Sequence, residues 1–493
     1  MNGKWKTIFL LVAITLLTIF LRFYSIKSTP PGLYPDEAMN GNNAIEALRA
    51  GQFKIFYPEN NGREGLFINI QAMFLKLFGA PNINPEPWML RIPSAIFGTL
   101  TVLGLYFLGR QLFNNRAIAL LASFLLATSF WHINFSRIGF RAIMAPFFLT
   151  WAIYFILLSF RKINKLTPMP YSSFLPIIGG VVYGLGFYSY IAYRATPLII
   201  ALILILFLRE HGLHKTLKIG ALFTIAAIIV AVPLGMFFLE NPGDFLGRTS
   251  QISIFNSPTP IRDLAINILK TGGMFNILGD YNWRHNISGS PQLFWPVGIL
   301  FLFGILTGIK NIYKNHEDKI VSIILFSWLI VTALPVVVSN EGLPHALRAI
   351  IMIPPVFVLS ALGGVNLYKW IRTKKIPGKL ISAGCWLLFV CLATQSFYSY
   401  FIVWAKNLNT KGAFAQNYVD MGHLLNRLPE DSNKYVIVKA QGTDVRGIPM
   451  PTQTIMFITN SFLPEERKKK NIFYITPGKE GEIPENSSTF TLD

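Results

Sequence analysis

The chain has 493 residues, 52% hydrophobic and only 14% charged, with a mean hydropathy of +0.45. Soluble domains carry about 25% charged residues, so a solvated globular surface is excluded, and 41 Phe, 10 Trp and 18 Tyr exclude a solvating disordered chain. The net charge of +20 would suit nucleic acid, but the basic residues sit mostly in short loops between apolar runs, so a polytopic membrane protein is expected and no nucleic-acid partner.

Apolar runs long enough to span a bilayer, about 17–25 residues, begin with Thr7 to Arg22, which follows Lys4 and Lys6 and lacks a small-residue cleavage site. It reads as an uncleaved signal anchor. Ile92 to Phe113, Ala117 to Trp131, Ile143 to Phe160, Phe174 to Tyr193, Ala195 to Leu208 and Leu217 to Leu239 follow. Leu293 to Ile312, Ile320 to Val338, Ala346 to Trp370 and Leu380 to Trp404 bring the expectation to about eleven, the third and sixth being the shortest. Cys385 and Cys391 lie within the last run, where buried packing is expected.

Lys and Arg in short loops favour the cytoplasmic side. With the N-terminus inside, that side holds Arg110, Arg116, Arg161, Lys162, Lys165, Arg209, Lys215 and Lys218, then Lys310, Lys314, Lys319, Lys369, Arg372, Lys374, Lys375 and Lys379. The short external turns hold Arg137 and Arg141, Arg194, and Arg348. Three longer segments then fall outside: Phe23 to Arg91, Glu240 to Gln292, and the tail from Ala405 to Asp493. The organisation expected is a transmembrane module over residues 1–404 and a small external α/β domain over 405–493. In that tail a helix is expected from Phe414 to Arg427, then β-type runs at Tyr435 to Val438, Thr454 to Thr459 and Asn471 to Thr476, and a flexible end from Pro477.

Within the first external loop, Pro35 suits a helix start and Gly51 a stop, which predicts a helix over Asp36 to Ala50. A second is predicted from Leu66 to Phe78, ended by Gly79. Both have apolar faces and are expected to lie in the membrane interface. Asp36 and Glu37 offset the helix macrodipole in the first turn. A carboxylate there is also placed for general-base work on an acceptor beside a lipid phosphate.

At this point the chain resembles the membrane glycosyltransferases of the GT-C class, specifically the protein-mannosyltransferase-like group (glycosyltransferase family 39). The resemblance rests on Tyr34-Pro35-Asp36-Glu37-Ala38, Asn61-Gly62-Arg63-Glu64-Gly65-Leu66-Phe67 and Arg91-Ile92-Pro93-Ser94-Ala95. It continues through Phe135 to Arg141 and Tyr190 to Arg194, and covers the chain to about Trp404. It implies an all-α GT-C-like fold and inverting sugar transfer from a polyprenyl-phosphate carrier on the external face of the cytoplasmic membrane. It also implies a base role for Asp36 and a supporting one for Glu37. The acceptor, whether protein, lipid or glycan, is left open.

A departing lipid phosphate needs positive charge. His345 and Arg348, three apart after Pro344, are expected to bind it, with Arg137, Arg141 and Arg194 as further donor contacts. Arg63 and Glu64, and the loop holding Asp280, Arg284 and His285, are expected to contact substrate. The carboxylates form no recognisable ligand cluster, so no cofactor is expected; a divalent metal, which some members of the resembled family use, is left open without support from the sequence. A transporter of polyprenyl-linked sugars is the rival, but it would place ionisable residues near the bilayer midplane, whereas these gather at one face.

Overall fold

The computed structural model describes residues 3–80, 82–163, 169–245, 253–478, 481, 483–484 and 487–493. Lys165, residues 246–252 of the second long loop and parts of the expected flexible end lie outside them. The helices are α1 (Gly3–Phe23), α2 (Pro35–Ala50), α3 (Leu66–Leu77), α4 (Pro87–Phe113), α5 (Arg116–Ala127), α6 (Phe130–Phe135), α7 (Met144–Ile163) and α8 (Met169–Gly186). There follow α9 (Pro197–His211), α10 (Leu213–Glu240), α11 (Pro260–Gly273), α12 (Trp295–Tyr313), α13 (Lys319–Val337), α14 (Ile353–Arg372) and α15 (Gly378–Phe397).

Among the described residues, nine helical segments are long and apolar enough to cross a membrane, and the chain is a multi-pass membrane protein. Two of the eleven expected spans are shorter: Arg116–Ala127, and Phe174–Gly186. Thr128 and Ser129 interrupt the first of these, and the Ser129 side chain starts α6 by accepting the His132 amide. The sixth run, Ala195 to Leu208, is extended by a short 3-10 turn at its start and reaches full length.

The packing differs from that of a soluble protein in that the outer surface is apolar as well as the interior. α10 exposes Ile225, Ile228, Ile229 and Leu239, and α1 exposes Phe9, Val12 and Leu16, surfaces that fit lipid. The interior centres on α14, buried from Ile353 to Gly363. It meets α12 where Gly304 and Gly363 face each other; a side chain at Gly304 would run into the Leu359 carbonyl. That close approach is the small-residue packing of membrane helices. Cys385 is half-buried and Cys391 exposed, correcting the expectation that both are packing residues.

The first long loop holds the two expected helices, but α2 is not an amphipathic helix resting on a membrane. Its Ala38, Ala44, Ile45 and Ala47 are buried against α3 and against Phe457 and Ile458 of the tail. Covering by the tail supplies the apolar partner that the interface was expected to supply. α3 exposes Met73 and Leu77 and buries Phe67, Ile68 and Leu75. Between the two helices a hairpin pairs β1 (Phe56–Tyr57) with β2 (Arg63–Glu64). Its turn runs through Asn60, Asn61 and Gly62, all in the left-handed region at φ 55°, 62° and 79°, where Asn and Gly are the tolerated residues.

The tail begins with α16 (Leu408–Ala413) and α17 (Gln416–Arg427), then β3 (Lys434–Val438) and a hairpin of β4 (Asp444–Val445) and β5 (Ile448–Pro449). Thr454 to Thr459, expected as a strand, lies mostly in a buried helix, α18 (Gln453–Ile458), wedged between α2 and α17. A short apolar run does not reveal its period, and here the surrounding helices decide. After α19 (Pro464–Lys469), β6 (Ile472–Ile475) and β7 (Ser488–Leu492) flank β3 in parallel, in the order β6-β3-β7. The end expected to be flexible therefore carries a strand.

Several ties fix the tail to the first loop. Arg446 makes a two-pronged pair with Glu46 at 2.9 Å on each arm and reaches Glu59 at 2.6 Å. Asn42 donates to Gln453 at 2.9 Å, and Thr454 to the Leu33 carbonyl at 2.9 Å.

Candidate active site

Consecutive helix residues leave the axis about 100° apart, so the adjacent carboxylates at the start of α2 diverge. Glu37 turns inward and is fully buried, 3.1 Å from Arg91 Nε, and it accepts the Gly139 amide at 2.7 Å. Arg91 also donates to the Pro30 and Gly32 carbonyls at 2.6 and 2.7 Å. Glu37 thereby ties α2 to α4 and to the turn before α7, and lines neither cavity described below.

Asp36 turns outward, half-buried, and accepts a hydrogen bond from Asn60 Nδ2 at 2.9 Å. It stands between two cavities. One, of about 610 Å³, is lined by Asp36, Arg63, Glu64, Arg141, Arg194, His345 and Arg348, with apolar walls from Phe140, Leu334, Pro335 and Val338. The other, of about 730 Å³, opens toward the tail and is lined by Tyr34, Asn60, Asn61, Gln416, Asn417 and Gln441 among others. Asp36, Asn60 and Asn61 line both.

In the first cavity four arginines face three carboxylates, Asp36, Glu64 and Asp244. Glu64 is shared: Arg141 Nε lies 2.8 Å from one oxygen and Arg194 3.6 Å from the other. One carboxylate thus holds two guanidiniums side by side, leaving a surplus positive charge. Arg63 is held by neutral groups, donating to Asn40 Oδ1 and Asn43 Oδ1 at 2.6 Å each. Burial, with Arg141 nearby, lowers its guanidinium to about 10, so it stays cationic at neutral pH. Arg348 donates to Ser339 Oγ and to the Glu341 carbonyl, and pairs with the Glu341 carboxylate at 2.9 Å.

Arg137 departs from expectation. It is buried away from both cavities and donates to the carbonyls of Leu21, Tyr24 and Thr29 at 3.1, 2.7 and 2.8 Å, with Phe401 stacked on its guanidinium. It staples the end of α1. Arg284 also lies outside the cavity walls and packs over the ring of Tyr34, 3.8 Å from its centre.

Asp280 and His285 sit behind His345. The three side chains bring a carboxylate and two imidazoles within 4.8 Å of one another, the donor chemistry of a zinc site. The expectation that no ligand cluster forms missed this grouping because two distant loops supply it. The same groups are satisfied by the protein: Asp280 Oδ2 lies 2.8 Å from His285 Nδ1 and accepts the Ala346 amide at 2.8 Å. Burial pushes the His285 imidazole below its ordinary value despite the Asp280 hydrogen bond, which keeps it neutral at pH 7. The cluster clasps the loop before α12 to the turn before α14.

Asn40, Asn43 and Asn60, which position Arg63 and Asp36, escaped the sequence reading. Their only signal was the run of amides around the acidic pair and the hairpin turn.

Residues 66–236 match the family described as "Dolichyl-phosphate-mannose-protein mannosyltransferase". Across that stretch the chain is similar to this family. The family stretch runs from α3 into α10 and carries Arg141 and Arg194, while Asp36, Glu64, His345 and Arg348 come from outside it. No curated protein matches the chain by sequence. Among solved structures it is similar to the Archaeoglobus fulgidus oligosaccharyltransferase tethered to an acceptor peptide, with a TM-score of 0.58 at 16% identity over 97% of this chain. It spans 64% of that protein's length. It is also similar to ArnT from Cupriavidus metallidurans bound to undecaprenyl phosphate, with a TM-score of 0.56 at 12% identity, covering 96% of this chain and 90% of that one. At these identities the likeness is one of fold.

Proposed function

We propose that the protein is an inverting glycosyltransferase that takes a sugar from a polyprenyl-phosphate carrier, with Asp36 as general base. The observation that carries this reading is that Asp36 stands in the wall between two cavities, one rich in arginine and apolar side chains, the other polar. The first fits a phosphate on a lipid chain. Arg63, Arg141, Arg194 and Arg348 would neutralise the charge that develops as the phosphate leaves, and Phe140, Leu334 and Val338 would flank the prenyl chain.

In the step proposed, the acceptor oxygen or nitrogen attacks the anomeric carbon from the second cavity. Asp36 takes the acceptor's proton, the bond from the anomeric carbon to the phosphate oxygen breaks, and the lipid phosphate departs with that electron pair. Asp36 then returns the proton to solvent. A single displacement inverts the anomeric centre. Asn60 fixes the carboxylate's orientation, and Glu37, through Arg91, fixes the helix that presents it.

The fold neighbours include proteins bound to undecaprenyl phosphate and, in the archaeal oligosaccharyltransferase AglB, to dolichol-phosphate together with an inhibitory peptide. Both support a polyprenyl-phosphate donor here. The distribution of Lys and Arg supports an N-terminus in the cytoplasm, with the cavities and tail on the external side. The test is to incubate purified protein with a panel of short-chain polyprenyl-phosphate sugars and follow release of polyprenyl phosphate. Asp36→Asn keeps an acceptor for Asn60 and loses the base, so donor turnover should fall by a factor of 10² to 10⁴ or more. Full turnover in that variant, or carrier movement across vesicles without cleavage of any donor, would refute the reading.

A further inference from the structure

We propose that the second cavity is an acceptor site for an uncharged carbohydrate, so that the acceptor is a sugar hydroxyl. This rests on the glycosyltransferase reading of Asp36 and names the substrate class of the same site. The cavity, of about 730 Å³, has room for one or two sugar rings, and the chemistry of its walls is selective.

Five amides line it: Asn60, Asn61, Gln416, Asn417 and Gln441. An amide carries both a donor and an acceptor, which matches a hydroxyl, itself both. Asn60 and Gln416 are oriented by carboxylates, donating to Asp36 at 2.9 Å and Asp420 at 2.8 Å. The amide oxygens of these two are left to accept from a ligand. Tyr418 in the lining supplies a flat apolar ring of the kind that C–H faces of sugar rings pack on, while the ring of Tyr34 is already covered by Arg284. Tyr418 is itself held by its hydroxyl's bond to the Asp493 carbonyl at 2.8 Å.

Charge decides against a phosphorylated lipid headgroup as the acceptor. Apart from Asp36 and the tyrosines, the only ionisable side chain in the lining is Lys411. A phosphorylated lipid headgroup would meet one cation here, whereas the cavity on the other side of Asp36 offers four arginines. The tail shapes this cavity: Gln441, Gly442 and Thr443 lead into the β4–β5 hairpin and Met450 and Pro451 leave it. The same hairpin carries Arg446, whose pairs with Glu46 and Glu59 lock it over the first loop. The acceptor site is thus built by two segments far apart in sequence and held at fixed distance from the base.

The experiment offers the full-length protein a usable polyprenyl-phosphate sugar together with, separately, neutral oligosaccharides, a serine- and threonine-containing peptide, and a phosphorylated aminosugar lipid. The expected product is sugar on the oligosaccharide. Gln441→Ala with Asn417→Ala, which removes two hydrogen-bonding groups, should raise the acceptor KM roughly tenfold with kcat retained. Sugar appearing on the peptide or on the lipid overturns the carbohydrate assignment and leaves the glycosyltransferase reading standing. An acceptor KM unchanged in the double variant overturns the assignment of this cavity. Failure to cleave any donor removes both readings together.

Discussion

Replacing Glu37 by Gln separates the two carboxylates at the head of α2 by what each costs to lose. Glu37 and Arg91 are both fully buried and 3.1 Å apart, and breaking a buried pair by removing one charge costs about 3–5 kcal/mol. Arg91 would keep the Pro30 and Gly32 carbonyls, and glutamine keeps an oxygen for the Gly139 amide, so the lower end, about 3 kcal/mol, is expected. Membrane proteins of this size unfold irreversibly, so the useful measurement is the half-life of the folded form in detergent at fixed temperature. If the pair is lost before the unfolding barrier, about 3 kcal/mol shortens that half-life roughly a hundredfold. Glu37→Gln with Arg91→Met should recover part of it, because no uncompensated charge is left buried. Asp36→Asn, at a half-exposed position, should leave the half-life near that of the wild type. A Glu37→Gln protein with wild-type half-life and abolished transfer would refute the division and put Glu37 at the chemistry.

Arg348→Ala should lower kcat/KM for the donor about 10- to 100-fold, the worth of one charge-assisted hydrogen bond to phosphate; an unchanged value would remove Arg348 from the donor site. Arg446→Met should loosen the tail, measured as faster proteolysis near the β4–β5 hairpin, and the effect should depend on pH. Burial, the largest single influence, pushes the Glu59 carboxyl up, but the Arg446 hydrogen bond, a backbone hydrogen bond and the charges of Arg446 and Lys54 together outweigh it, and the group ends below its ordinary 4.5. A depressed folded-state value means that the pair's contribution is present above pH 4.5 and is lost as the pH falls through the folded value. Wild type and variant should therefore differ at pH 7 and converge in acid; a difference independent of pH would show that packing, not charge, holds the hairpin.

How far the sequence led depended on how local each feature is. The apolar runs and the helices at 35–50 and 66–77 were legible because length, proline starts and glycine stops are written in neighbouring residues. Asp36 was legible for the same reason, sitting just past Pro35. That Glu37 turns away from it was not, because its partner Arg91 lies on another helix. Arg137 and Arg141 are four apart, which on a helix would aim both the same way, but Gly139 lies between them in a non-helical turn. One staples α1 while the other joins Glu64. The parallel strand 488–492 and the Asp280–His285–His345 cluster depend on pairings between distant segments, for which adjacent residues carry no signal. The second cavity was invisible for the same reason, being lined by the first loop and the tail together.

The wall containing Asp36 also bears on the order in which molecules come and go. Among the described residues, Asp36, Asn60 and Asn61 are the side chains common to both cavities, so on the proposed reading donor and acceptor occupy separate spaces that meet at the base. On that reading either substrate is expected to bind without the other. A direct displacement across that wall stores no sugar on the protein, so initial rates at varied donor and acceptor should give intersecting double-reciprocal lines in place of the parallel lines of a two-stage exchange. If the proposed displacement holds, the wall shared by the two cavities sets a kinetic law as well as a stereochemical one.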